Sequence, residues 1–169
     1  MSIEREAPAT MSVIGNFLQL TSDELASLIA DPSTVEEFIY QEETNDKSLY
    51  VDKAWHGIHF LLANDSRAGE PPLANVVLGG TDIGDDDGYG VRYLTANEVF
   101  DVANALQNLS PEVFRARCNA KILLDNDIYP QDWQNGDDWE GGLTFYYKEI
   151  RDYYLDAAAK GNAMLKYLG

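Results

Sequence analysis

The chain has 169 residues, a length that suits one globular domain. Apolar residues make up 45% and charged residues 24%, an ordinary balance that excludes a disordered chain. The formal net charge is −17, from 29 acidic and 12 basic residues, which opposes binding to nucleic acid and to anionic membranes. The single cysteine, Cys118, excludes an internal disulfide and a cysteine-only zinc site.

The N-terminal sequence M-S-I-E-R-E-A-P-A-T-M lacks the apolar segment of a signal peptide. No apolar run approaches the ~20 residues that a membrane-spanning helix needs. We therefore expect a soluble cytoplasmic protein. No motif implies a cofactor.

Acidic residues are concentrated in two stretches that contain no lysine or arginine, 6–46 and 122–147. The simpler interpretation is that this charge keeps the protein soluble. The alternative is a docking face for a basic partner protein, because opposite charge speeds association. Both interpretations stay open at the level of sequence.

The first half of the chain predicts one strand and three helices. Residues 1–10 are polar and predict a flexible N-terminal extension, and 11–20 predict a strand. Thr21 and Glu24 have the spacing of a capping box, and Pro32 ends the helix that they begin. Ser33 opens a short second helix, and 52–63 predict a third.

The second half predicts two short strands and three helices. The glycine- and aspartate-rich segment 79–90 predicts irregular backbone, followed by a strand at 91–94. Three helices are predicted next: one that Thr95 caps, one that begins at Ser110-Pro111 and extends past Cys118, and one from about Leu143 to Lys160. A strand is expected at the C-terminus. Strands and helices do not alternate strictly, so we predict an α+β fold, a single compact domain at 11–169 with helices on a small mixed or antiparallel sheet.

Several stretches resemble the YfbM-like bacterial family, domain of unknown function 1877. They are M-S-V-I-G-N-F, D-K-A-W-H-G-I-H-F-L-L, Y-L-T-A-N-E-V, I-Y-P-Q-D-W and K-G-N-A-M-L-K-Y-L. The resemblance covers most of the chain from Met11 and implies a compact α+β domain. It also implies that residues 1–10 are an extension, or that translation begins at Met11. It implies no activity, cofactor or catalytic residue.

Both histidines of the chain lie in the stretch K-A-W-H-G-I-H-F-L-L. With ~100° per helical residue, His59 falls within the apolar face that includes Trp55, and His56 falls at its border. The favoured interpretation is two core histidines with hydrogen-bonded rings. The alternative is a pair that lines a pocket and works with a carboxylate. A zinc site is disfavoured because H-x-x-H supplies only two ligands, and Gly57 predicts close approach of another backbone or, less favoured, a ligand.

A second candidate site lies in W-Q-N-G-D-D-W-E-G-G, which joins Trp133 and Trp139 with Asp138. Aromatic rings beside carboxylates suit sugars or cationic ligands. The favoured interpretation is that the tryptophans pin a long loop to the core. An EF-hand at 83–94 is excluded because Ile83 and Leu94 occupy ligand positions, although a weak cation site stays possible there.

Two functions follow as hypotheses. The first is a non-enzymatic binding or interaction protein with an acidic surface, which the absence of a P-loop, a G-x-S-x-G and a G-x-G-x-x-G favours. The second is a small hydrolase that uses His56 or His59 with a carboxylate in a pocket near Trp55 or Trp133. The ligand-binding candidates are Trp55, His56, His59, Trp133, Asp138 and Trp139, and no metal ligands are predicted.

Overall fold

The fold is built on one five-stranded antiparallel sheet with strand order β2-β1-β5-β4-β3. A computed structural model gives the structure, which describes residues 13–44, 47–84, 90–131, 133 and 138–169. The strands are β1 (Gly15–Leu20), β2 (Ser48–Tyr50), β3 (Thr81–Ile83), β4 (Val91–Leu94) and β5 (Ala163–Leu168). The N- and C-terminal strands β1 and β5 pair along their full lengths, so the two ends of the domain meet in the middle of the sheet.

Seven α-helices of the described residues cover the two faces of this sheet. They are α1 (Ser22–Ala30), α2 (Val35–Thr44), α3 (Trp55–Ala63), α4 (Ala96–Gln107), α5 (Pro111–Ala116), α6 (Ala120–Asp125) and α7 (Trp139–Ala159). Short 3₁₀ turns at Pro32–Thr34, Asp52–Ala54 and Leu73–Asn75 connect them. None of these helices combines the length and apolar character of a membrane span.

Strand alternation divides the core into two parts. Neighbouring residues of a strand point to opposite faces, so Phe17 of β1 joins the large core under α3–α7, whereas Leu18 joins a smaller one under α1 and α2. Met164 and Leu165 of β5 divide in the same way. The predicted α+β fold, a single compact domain, is thereby confirmed, and it has helices on both faces of the sheet.

Helix caps predicted from sequence are present. Thr21 and Glu24 form both hydrogen bonds of a capping box, and so do Thr95 and Glu98. Ser110 caps α5 by accepting from the backbone N–H of Val113. These bonds satisfy N–H groups that the first helical turn leaves without a partner.

Two short strands depart from the sequence prediction. The expectation of irregular backbone throughout 79–90 is wrong for Thr81–Ile83, which forms β3. The edge strand β2 is also absent from the sequence prediction, which places no strand between the second and third helices. Each has three residues, too few for a periodic signal, and each is stabilised by hydrogen bonds to a neighbouring strand.

Two helices also differ in their bounds. The helix predicted from Ser110 past Cys118 is divided, because Asn119 accepts from the backbone N–H of Ile122 and begins a new helix, α6. Helix α7 begins at Trp139, four residues before the predicted start. Gly141 and Gly142 disfavour a helix at this position. The Asp138 side chain nevertheless caps the first turn by accepting from the N–H of Gly141.

Some predictions fall on residues that the structure does not describe. The N-terminal extension 1–10 lies outside the described residues, and so do the three aspartates 85–87 of the weak cation site. Both stay predictions.

Candidate functional site

His56 on α3 is held by backbone groups at both ring nitrogens. The backbone N–H of Tyr129 donates to Nδ1 at 2.9 Å, so this nitrogen is unprotonated and Nε2 carries the hydrogen. Nε2 donates to the carbonyl oxygen of Ser66 at 2.9 Å. Burial lowers the pKa of His56, against the opposing effect of the Ser66 bond. The imidazole is neutral at pH 7 and has both hydrogen-bonding positions occupied.

His59, one turn further along α3, is completely buried. Its Nε2 donates to the carbonyl oxygen of Ala68 at 2.9 Å. Nδ1 has no hydrogen-bond partner among the described residues. Burial lowers the pKa of His59 to about 4, and the Ala68 bond only partly opposes this. Its ring is therefore neutral over the physiological range.

The two histidines attach the loop after α3 to the helix. Ser66 and Ala68 both lie in this loop, which Asp65 also shapes by accepting from the N–H groups of Arg67 and Ala68. Among the described residues no carboxylate forms a hydrogen bond with either imidazole ring. The hydrolase hypothesis required an accessible imidazole beside a carboxylate, and the contacts of His56 and His59 give that arrangement no support.

Trp55 packs beside His56 and holds neighbouring segments together. Its indole Nε1 donates to the carbonyl oxygen of Val13 at 2.8 Å, and 6% of the residue is exposed. Its ring stacks on His56, with centroids 5.0 Å apart, and on Tyr129 at 5.7 Å. The indole thus joins the start of β1, helix α3 and the segment before α7.

Trp133 explains the glycine between the histidines. Its Nε1 donates to the carbonyl oxygen of Ile128 at 2.9 Å, and its ring lies against Gly57, where an added Cβ would be 2.9 Å from Cη2. The close approach predicted at Gly57 is therefore made by a side chain, and the preference for a second backbone was wrong. Half-buried Trp139 lies 5.7 Å from Trp133, between ring centroids.

The hydrogen bond and the ion pair of Asp138 do not involve His56 or His59. It caps α7 and forms an ion pair with Arg115 at 2.8 Å, with 68% of its side chain exposed. The six candidate residues thus form packing and capping contacts around α3 and the start of α7. Among the described residues no group of three or more His, Cys, Asp or Glu side chains could hold a metal ion.

A cleft that the sequence did not predict lies on the other face of the sheet, beside α2. It has a volume of about 570 Å³. Its floor includes Asn16, Val91 and Tyr167 of the sheet, and its walls include Glu36 and Ile39 of α2. Tyr40 and Tyr50 also line it and are 63% and 50% exposed. We call this region the tyrosine cleft.

Strand register aligns the floor of the tyrosine cleft. Tyr50 of β2 is opposite Asn16 of β1, Asn16 is opposite Tyr167 of β5, and Tyr167 is opposite Val91 of β4. Residues opposite one another share a face of the sheet, so the four side chains form one row. These positions are far apart in sequence, and no motif marked them.

Asn16 is the buried polar residue of this row, with 4% exposed. Its Nδ2 donates to the carbonyl oxygens of Ile14, at 3.0 Å, and Tyr167, at 3.4 Å. Because carbonyl groups only accept, these two bonds fix which end of the carboxamide is nitrogen. The carboxamide oxygen accepts no hydrogen bond from the described residues.

Comparisons with known proteins identify the class to which this fold belongs. The profile of the family described as domain of unknown function DUF1877 matches residues 11–167, so the chain belongs to that family. No curated protein matches the chain.

The structure is similar to the crystal structure of YfbM from Escherichia coli, described as a protein of unknown function. The TM-score is 0.70 at 21% sequence identity, over 92% of this chain and 99% of that chain. At this identity the similarity concerns the fold. The expected YfbM-like α+β domain is confirmed.

Proposed function

We propose that this protein is a non-enzymatic binding protein that docks a basic partner protein on an acidic surface. The observation that carries the proposal is a run of exposed acidic residues with no basic residue among them in the sequence. On α1, α2 and the turn between them, Asp23, Asp31, Glu36 and Glu37 are exposed and form no ion pair with any described residue. We call these four residues the acidic layer.

Elsewhere five basic residues form ion pairs with acidic neighbours. Lys121, Lys148 and Lys160 form ion pairs with aspartates four residues away along a helix. Arg92 pairs with Asp82, and Arg115 pairs with Asp138. The acidic layer has no such partner within its own sequence, because no lysine or arginine occurs from 6 to 46.

Unpaired charge of one sign on one surface raises the rate of association with a partner of opposite charge. The same field disfavours nucleic acid and anionic membranes. His56 and His59 are buried and so are not accessible as bases, which favours binding over hydrolysis as the function.

The experiment compares two variants of equal net charge. The first neutralises the acidic layer by Asp23→Asn, Asp31→Asn, Glu36→Gln and Glu37→Gln. The control neutralises four other exposed acids by Glu70→Gln, Asp101→Asn, Glu112→Gln and Asp127→Asn. Both variants have a formal charge of −13, four less negative than −17.

A partner is first captured from cell extract by the unaltered protein at low salt, purified, and titrated by calorimetry at two salt concentrations. We expect the acidic-layer variant to lose most of the affinity and the control variant to keep it. Equal loss in both variants, or an affinity that salt does not weaken, would contradict specific docking. Circular dichroism establishes that both variants are folded.

A further inference from the structure

We propose that the tyrosine cleft receives an arginine side chain of the basic partner. The inference rests on the proposed function and adds the place and the side chain that are recognised. It combines a cleft of suitable size, exposed tyrosine side chains, an acceptor without a described partner and a carboxylate.

The size of the cleft suits a side chain or a short peptide segment. Its volume of about 570 Å³ lies within the ordinary range of ligand sites, roughly 300–1,000 Å³. Tyr50 and Tyr167 belong to strands that flank β1 on either side, so their backbones are separated by two strand spacings, roughly 10 Å. Asn16 of β1 lies between these two tyrosines at the floor of the cleft.

The chemistry of the lining selects a cation. Tyr40 and Tyr50 line the cleft with exposed aromatic side chains, which attract guanidinium and ammonium groups. Glu36 is the charged residue of the described lining, and no lysine or arginine of the described residues lines the cleft. Glu36 also belongs to the acidic layer, so the surface that attracts the partner is continuous with the cleft.

Asn16 favours the guanidinium group of arginine over a compact ammonium group. Its carboxamide oxygen is an acceptor without a described partner at the floor of the cleft, between Tyr50 and Tyr167 in the row. A guanidinium is planar and carries five N–H donors, so one face can stack on tyrosine while an edge donates to this oxygen. A hydrogen bond to this acceptor favours a ligand that has matching donors.

The test is an NMR titration of the full ¹⁵N-labelled chain with N-acetyl-L-arginine amide at physiological salt. N-acetyl-L-citrulline amide is the control probe, because it has nearly the same shape without the charge. We expect saturable shifts at the backbone amides of Asn16, Tyr50, Val91 and Tyr167, and at least fivefold weaker binding of the citrulline probe.

Two exposed tyrosines supply variants that leave the core intact. Tyr50→Val keeps a strand-forming residue and Tyr40→Ala lies on the helix surface, and each should weaken arginine binding about three- to tenfold. Phe100→Ala removes an equally exposed aromatic side chain from α4 and should change nothing.

Three results would overturn the inference. They are equal binding of both probes, insensitivity to Tyr50→Val and Tyr40→Ala, and shifts centred on the acidic depression formed by Glu98, Asp101 and Asn104 of α4. If arginine fails to bind in the cleft while neutralising the acidic layer still abolishes partner binding, the cleft assignment is wrong and the proposed function stands. Partner binding that survives neutralisation of the acidic layer contradicts the proposed function, whichever probe the cleft binds.

Discussion

Gly57 and Trp133 are in direct contact, with space at Gly57 for hydrogen and not for a methyl group. A Cβ added at Gly57 would lie 2.9 Å from Cη2 and 3.2 Å from Cζ2 of the Trp133 ring. The ring is 94% buried and its Nε1 is bonded to the carbonyl of Ile128, so it has little freedom to move away. The glycine in the middle of α3 is therefore a packing requirement of the loop before α7.

Gly57→Ala should destabilise the protein although alanine is the better helix former. Overpacking a core typically costs about 1–3 kcal/mol, whereas the gain in helix propensity is about 1 kcal/mol. We expect the free energy of unfolding in urea to fall by up to about 2 kcal/mol. Gly142→Ala in α7 is the matched control, because a Cβ there meets nothing within 4 Å, and it should be neutral or stabilising.

The contact between Gly57 and Trp133 also predicts the outcome of a double-mutant experiment. Gly57→Ala should cost less in a Trp133→Phe background, because the smaller ring relieves the overlap. Equal costs in the two backgrounds would show that the strain arises elsewhere in α3.

His59 should make stability depend on pH between about 6.5 and 4. Its pKa is about 4 in the folded protein against 6.5 ordinarily, so between these values the unfolded chain binds the proton and the folded protein does not. The contribution of neutral His59 to the free energy of unfolding is therefore fully present above pH 6.5. It is lost as the pH falls toward 4. The full displacement corresponds to about 3 kcal/mol.

His59→Gln keeps a donor near the carbonyl of Ala68 and removes the titrating group. We expect the free energy of unfolding of this variant to fall less steeply than that of the unaltered protein between pH 6.5 and 4. Both proteins should show the same dependence above pH 7. If the free energy of unfolding falls equally with pH in both proteins, His59 is not the group responsible for the pH dependence.

Asp138 should matter as a helix cap more than as an ion-pair partner. Its backbone has φ +25° and its side chain accepts from the N–H of Gly141, while its pair with Arg115 is exposed. Asp138→Ala should lower the free energy of unfolding by about 1–2 kcal/mol, since it removes the cap at a left-handed position. Asp138→Asn keeps the cap and should cost at most about 0.5 kcal/mol.

Arg115→Gln provides the comparison for that result. An exposed ion pair contributes about 0–1 kcal/mol, so this variant should differ little from the unaltered protein in chemical denaturation. A cost for Arg115→Gln as large as that for Asp138→Ala would assign the stabilisation to the ion pair.

Cys118 should react slowly with alkylating reagents while the protein is folded. Burial, with a contribution from the charge of Glu140, raises the pKa of the thiol from 9.0 to about 11, which reduces the reactive thiolate. A thiolate of higher pKa is more nucleophilic, which offsets part of the loss, so alkylation by iodoacetamide at pH 8 should be roughly tenfold slower or more than in guanidinium. Glu140→Gln should increase the native rate, and equal native and denatured rates would contradict the assignment.

The sequence alone determined the features that depend on neighbouring residues. The caps at Thr21, Thr95 and Ser110 follow from hydrogen bonds between residues three positions apart. The family resemblance, the α+β fold and the favoured core role of His56 and His59 also agree with the structure. The cytoplasmic location and the basic partner stay predictions.

Tertiary structure alone decided what depends on pairing between distant segments. The row of Tyr50, Asn16, Tyr167 and Val91 exists because antiparallel register brings β2, β1, β5 and β4 side by side, and no local pattern records register. Likewise, Gly57 showed that something approaches α3 closely, but only packing identified it as the ring of Trp133. Spacing along a chain describes a single element, whereas a cleft or a packing contact depends on which elements the folded chain brings together.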